Sequence, residues 1–205
     1  MSFQMWLAFI AASGVLLIIP GPTILLVMSY ALSQGRRVAV AMALGVALGD
    51  LIAMTASLVG LGALVMASAT LFGVLKWLGA AYLAFLGLRL LRHPPEMSGA
   101  TEAAPRPASA VFVHAVAVTA LNPKSITFFM AFVPQFINEN APLGPQFIPL
   151  IASFVSLAAL NALAYALLAA RLRGGIRRAA TLRWMGRAGG AALIGMAGLA
   201  AAARR

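Results

Sequence analysis

Two apolar stretches of this chain are interrupted by prolines beside groups able to hold an anion. One reads Ile18-Ile19-Pro20-Gly21-Pro22-Thr23 and the other Ala120-Leu121-Asn122-Pro123-Lys124-Ser125. Proline is well tolerated at the first position of a helix, and Asn just before it is a good N-cap. Asn122-Pro123 therefore predicts a helix that starts inside an apolar stretch, and Gly21-Pro22 reads the same way. Each start presents free N–H groups and the positive end of a helix dipole. A carboxylate suits such a pole, and Lys124 adds a full positive charge beside one of them. The plainer alternative is that both prolines kink helices for packing while Lys124 snorkels to an interface.

Asp50 is the other residue with chemical potential. It lies in Gly45-Val46-Ala47-Leu48-Gly49-Asp50-Leu51-Ile52, with no further charge between Arg37 and Lys76. A charge at mid-bilayer costs at least ~2.5–3.5 kcal/mol, so such residues face cavities and mark ion or proton paths. Asp50 thus reads either as a proton carrier or as a structural carboxylate that pairs with Lys124 or caps a helix. Tyr82, Phe128, Asn161 and Tyr165 could line a polar cavity beside these groups. Packing or interfacial positions suit Tyr82 and Tyr165 equally well, and packing or a lipid-facing position suits Phe128 better. Gly45 and Gly49 form a GxxxG pair, which reads as close helix packing.

These residues need membrane-spanning elements to hold them. The 205 residues are 62% hydrophobic and 9% charged, with mean hydropathy +0.97. Soluble domains carry roughly 25% charged residues, so an integral membrane protein is expected. Hydropathy predicts an all-α chain of six spans of about 20 residues or more. They fall near Met5–Tyr30, Val38–Met66, Leu71–Leu91, Val111–Gln135, Phe147–Arg171 and Gly186–Ala203. Proline-rich residues 93–110 read as an extended cytoplasmic linker within one transporter domain. They separate a first repeat over about 1–92 from a second over about 111–205. Three spans per half make the second half enter the membrane in the opposite sense, a 3+3 inverted repeat with broken spans 1 and 4. Paired breaks in such halves point to a transport site at the midplane. Arg36, Arg37, Arg89, Arg92, Arg106 and the basic stretch Arg171 to Arg187 fall on one side of six spans. That bias predicts cytoplasmic basic loops and both termini outside. A re-entrant first segment with the N-terminus inside is the rival topology.

The net charge of +11 comes from loops between spans and not from a basic soluble face, so no nucleic-acid partner is expected. There is no Cys, and His93 and His114 are isolated, so neither a metal site nor a cofactor is expected. The apolar N-terminus lacks a basic leader and reads as a first span rather than a signal peptide. Ser125, His114 and Asp50 lack a persuasive catalytic arrangement, leaving an intramembrane enzyme as a weaker reading. A channel or metal-ion exporter of related architecture is the closer alternative.

Four blocks in order resemble one known family. They are Pro20-Gly21-Pro22 with Gln34-Gly35-Arg36-Arg37, then Gly45 to Asp50, then Lys76-Trp77-Leu78-Gly79-Ala80-Ala81-Tyr82-Leu83 followed by Gly87. The fourth is Asn122-Pro123-Lys124 followed by Phe128-Phe129 and Phe132-Val133-Pro134-Gln135-Phe136. Over nearly its whole length the chain resembles the LysE/RhtB amino-acid exporters of bacterial inner membranes. The resemblance implies export of amino acids or related small metabolites by proton antiport, and suggests a homodimer embedded in lipid. Many relatives carry an acid on the fifth span where this chain has Asn161, which would leave Asp50 to serve alone. The substrate carboxylate would rest on Pro20, Gly21, Pro22 and Thr23 and on Asn122, Pro123 and Lys124, with its ammonium toward Asp50.

Overall fold

A computed structural model describes residues 2–19, 21–67, 69–93, 106–138, 141–171 and 179–202. Pro20 and most of the proline-rich linker lie outside the described residues. The described residues form helices and connecting turns, with no strand among them. In chain order the helices are α1 (Phe3–Ile18), α2 (Pro22–Gln34), α3 (Ala39–Ala67), α4 (Ala69–Arg92), α5 (Ala108–Ala120), α6 (Pro123–Ala131), α7 (Gly144–Arg171) and α8 (Ala179–Ala202). Short 3-10 turns at Gly35–Val38 and Val133–Phe136 follow α2 and α6.

Local chemistry explains where these helices start and stop. Ser2 caps α1, its hydroxyl accepting from the Met5 N–H at 3.3 Å. Ile19 is extended, at φ −69° and ψ 118°, because a following proline disfavours helical backbone. Pro22 then occupies the first position of α2 behind an extended Gly21. Gly35 ends α2 at φ +66°, a backbone region that side chains with a Cβ rarely adopt. In the second half Asn122 is extended and caps α6, where Pro123 opens the helix.

The expected span Met5–Tyr30 is thus α1 plus α2, and Val111–Gln135 is α5, α6 and the turn after them. Each is interrupted at its proline, and α5 meets the α6 segment at 43°. Among the described residues, Pro22–Ala63 and Gly144–Ala169 are long and apolar enough to cross a membrane, and the bent pair Ala108–Ala120 with Pro123–Phe136 makes a third if it counts as one span. The helix expected from Gly186 begins earlier, at Ala179, and α5 begins inside the expected linker, at Ala108.

Packing interlaces the two halves. Helix α3 packs along α5, α6 and α7, while α7 packs along α1, α2 and α3, so each long helix holds the broken pair of the other half. Helices α4 and α8 pack chiefly on each other, with Gly87 and Gly190 at their crossing. A Cβ on Gly49 would stand 2.6 Å from the Thr119 Cβ, so the α3–α5 crossing depends on that missing atom. Phe128 lies buried among Phe129, Phe132 and Phe154, so it serves the apolar core. Large apolar side chains such as Trp77, Leu78, Phe85, Val59 and Trp184 face outward. Lipid is the solvent in which that surface is stable.

Candidate functional site

The two breaks meet around one small cavity of about 30 Å³. From the first break and its flanks come Leu16, Leu17, Gly21, Thr23 and Ile24; from the second come Asn122, Lys124 and Ser125. Helix α3 supplies Val46 and Asp50, and α7 supplies Ala158 and Asn161. The volume holds about one water and is well short of an amino acid.

The second break is internally satisfied. Asn122 Oδ1 accepts from the Lys124 backbone N–H at 3.1 Å, capping α6. The same side chain donates through Nδ2 to Thr23 Oγ1 at 3.1 Å, and Thr119 Oγ1 lies 3.4 Å from that hydroxyl. The start of α2 differs, for among the described residues no side chain caps it and Gly21 contributes only backbone. Its amides and dipole are therefore the open positive pole at the cavity.

A further pole went unforeseen in the sequence. A helix that stops before Pro20 leaves its last carbonyls short of helical partners; the Leu16 carbonyl still accepts from the Ile19 N–H at 3.3 Å. Lys124 Nζ donates to the Leu16 carbonyl at 2.8 Å and the Ile19 carbonyl at 2.7 Å. Asn161 Nδ2 donates to the Leu17 carbonyl at 3.0 Å, and Tyr165 Oη to the Ile18 carbonyl at 2.8 Å. Four consecutive carbonyls of α1 are thus held by three side chains of the second half. Lys124 turns away from the α6 start toward the negative end of α1, a pairing across more than a hundred residues that spacing cannot reveal. Gly21 leaves room for it, since a Cβ there would come within 3.3 Å of the lysine Cδ.

Asp50 sits on the inward stripe of α3 with Met42, Val46, Met54 and Leu58, and is 2% exposed. Its Oδ1 has no hydrogen-bond partner among the described residues. It shares the cavity with Lys124, without an ion pair between them among the described residues. Of the residues singled out from sequence, Gly21, Thr23, Asp50, Asn122, Lys124 and Asn161 line this one cavity. Tyr165 acts one step behind it, on the α1 carbonyls. Pro22 and Pro123 stand at the first helical positions and set the breaks. Tyr82 lies elsewhere, on α4 against Phe85, with ring centroids 6.0 Å apart. His114 is engaged by Tyr30 Oη at 3.0 Å. Leu16, Leu17 and Ser125 were missed; the proline ending α1 was the available signal for the first two.

The model of the family described as LysE type translocator matches residues 14–204. The chain belongs to the LysE family. A homoserine/homoserine lactone efflux protein of Salmonella typhimurium is 32% identical over 204 residues, covering 100% of this chain and 99% of that protein. An uncharacterized membrane protein of Vibrio cholerae is also 32% identical, over 100% of both chains. A leucine efflux protein of Klebsiella pneumoniae is 31% identical across 66% of this chain and 65% of its own length. No solved structure matches. This LysE family member is therefore a membrane protein whose named relatives carry amino acids and related compounds outward.

Proposed function

We propose that the chain is a secondary transporter that exports amino acids or closely related small metabolites across the bacterial inner membrane by proton antiport. The observation that carries this reading is Asp50, a buried carboxylate whose Oδ1 has no hydrogen-bond partner among the described residues, facing the same small cavity as Lys124 and the start of α2. A site for a zwitterion needs groups of both signs, and a proton-driven site needs one carboxylate that exchanges its proton with either side. The uncapped start of α2 suits the substrate carboxylate, with Thr23 and Asn122 as polar neighbours. Asp50 takes the proton. Because the cavity is smaller than an amino acid, substrate binding requires it to widen, and export requires it to open alternately to each side.

The wider frame of this proposal is six crossings arranged as two inverted repeats. It is supported by breaks at matching proline positions and by the exchange of partners in which α3 and α7 each hold the other half's broken pair. A continuous 42-residue run from Pro22 to Ala63 would measure about 63 Å, twice the hydrocarbon thickness, and Gly35 divides it into α2 and α3.

Reconstituted vesicles preloaded with each amino acid and given an imposed pH gradient will identify the substrate. With that substrate, Asp50→Asn should lower gradient-driven export at least ~10-fold while counterflow exchange persists. Retained proton-driven export would remove Asp50 from the coupling step.

A further inference from the structure

The carbonyls at the end of α1 form a cluster that any hydrogen-bonding cation should occupy. Four of them follow in sequence, they lie at the negative end of a helix, and two accept short hydrogen bonds from an ammonium group. The cluster is braced separately from that ammonium, because Asn161 and Tyr165 fix the Leu17 and Ile18 carbonyls from α7. Among the described residues, Lys124 engages two of its three N–H donors there. Its stem runs beside Gly21 and so fills part of the space between the breaks.

We infer that this carbonyl cluster is the subsite for the substrate's primary ammonium, and that Lys124 occupies it as a built-in stand-in whenever substrate is absent. The inference rests on the reading of the protein as an amino-acid transporter and assigns the ammonium end of its ligand. Substrate entry then requires an exchange of cations. Its ammonium takes the Leu16 and Ile19 carbonyls, and the Lys124 ammonium is released toward the cavity, where Asp50 and the substrate carboxylate both lie within its reach. That movement frees the acceptors, and a cavity that holds about one water must widen as substrate enters. At no stage do the carbonyls stand unpaired in a dry site, which would cost ~1–3 kcal/mol for each lost partner. Asp50 is left for the proton, not for the ammonium.

Lys124→Met keeps most of the stem and removes only the ammonium end. In detergent, ethylammonium should raise the melting temperature of this variant at concentrations at least ~10-fold below those needed for the wild type, where Lys124 competes. Tetramethylammonium, with the same charge and no N–H donor, should do nothing. Equal effects of the two cations, or no difference between variant and wild type, would overturn the inference. Should Lys124→Met fail to fold, Lys124→Cys provides the single thiol of a chain that has none. Alkylating it with 2-bromoethylamine should restore stability and transport, whereas a trimethylammonium reagent of the same reach should not; equal recovery counts against the subsite. In the wild type, the N-trimethyl analogue of the transported amino acid should fail to compete, and full competition would place the ammonium elsewhere. The amine-binding result does not depend on transport. Loss of amino-acid export in the wild type would therefore sink the functional reading alone, and loss of amine selectivity the subsite alone.

Discussion

Asn122 does two jobs with one side chain, and the first was visible in its neighbours. Its position before Pro123 marks it as a helix cap, and its Oδ1 does accept from the Lys124 N–H at 3.1 Å. Its other end donates to Thr23 Oγ1, tying the second break to the first. Asn122→Ala should therefore cost about 1–2 kcal/mol by denaturation in detergent, combining a lost cap with a lost buried hydrogen bond. A loss no greater than that of an exposed substitution would show that water replaces both contacts. What sequence reading could not supply at this scale was direction. Lys124 follows the cap at once and was expected to strengthen the positive pole of α6. It reaches across to Leu16 and Ile19 because their carbonyls are stronger partners than amides of its own sign. Asn161 and Tyr165 behave alike, finding α1 carbonyls through contacts that only the folded chain creates.

Helix boundaries were far easier to read than helix partners. Proline fixes φ and lacks an N–H, so Pro22 and Pro123 mark their breaks whatever surrounds them. Pairing of α3 with α5 depends on matched surfaces, and the GxxxG pattern hinted only that something comes close. Those glycines do meet α5, with Gly45 against the Phe112 carbonyl and Gly49 against Thr119. Gly49→Val should push α3 from α5 and destabilise the fold by about 1–3 kcal/mol, as overpacked sites do. Gly60 on the same helix has nothing within 4 Å of a built Cβ, so Gly60→Val is the unhindered control. Thermal unfolding of the two variants side by side measures the difference, and equal melting points would show that the crossing can relax. Since Thr119 also contacts Thr23, the Gly49 change should disturb substrate handling as well.

Across the whole molecule, the gathering of cations predicts an orientation in the membrane. Exposed Arg36 and Arg37 lie in the turn after α2, and the Arg106 N–H donates to Gln34 Oε1 at 3.2 Å. The basic turn and the start of α5 thus share one face, which the positive-inside bias assigns to the cytoplasm. In this Cys-free chain, Arg106→Cys should react with an impermeant maleimide only after cells are opened, and Ser2→Cys in intact cells. The reverse pattern would favour the N-terminus-inside arrangement. The interlaced packing also bears on biogenesis. While the ribosome has delivered only the first half, the end of α1 has none of the donors that Lys124, Asn161 and Tyr165 later bring. Several bare carbonyls in hydrocarbon are too costly to keep, so the nascent first segment should linger at the insertion machinery or the interface until the later helices arrive. The finished membrane domain is then sealed by its last-made parts, and a truncated product is an unstable one that cellular quality control can recognise.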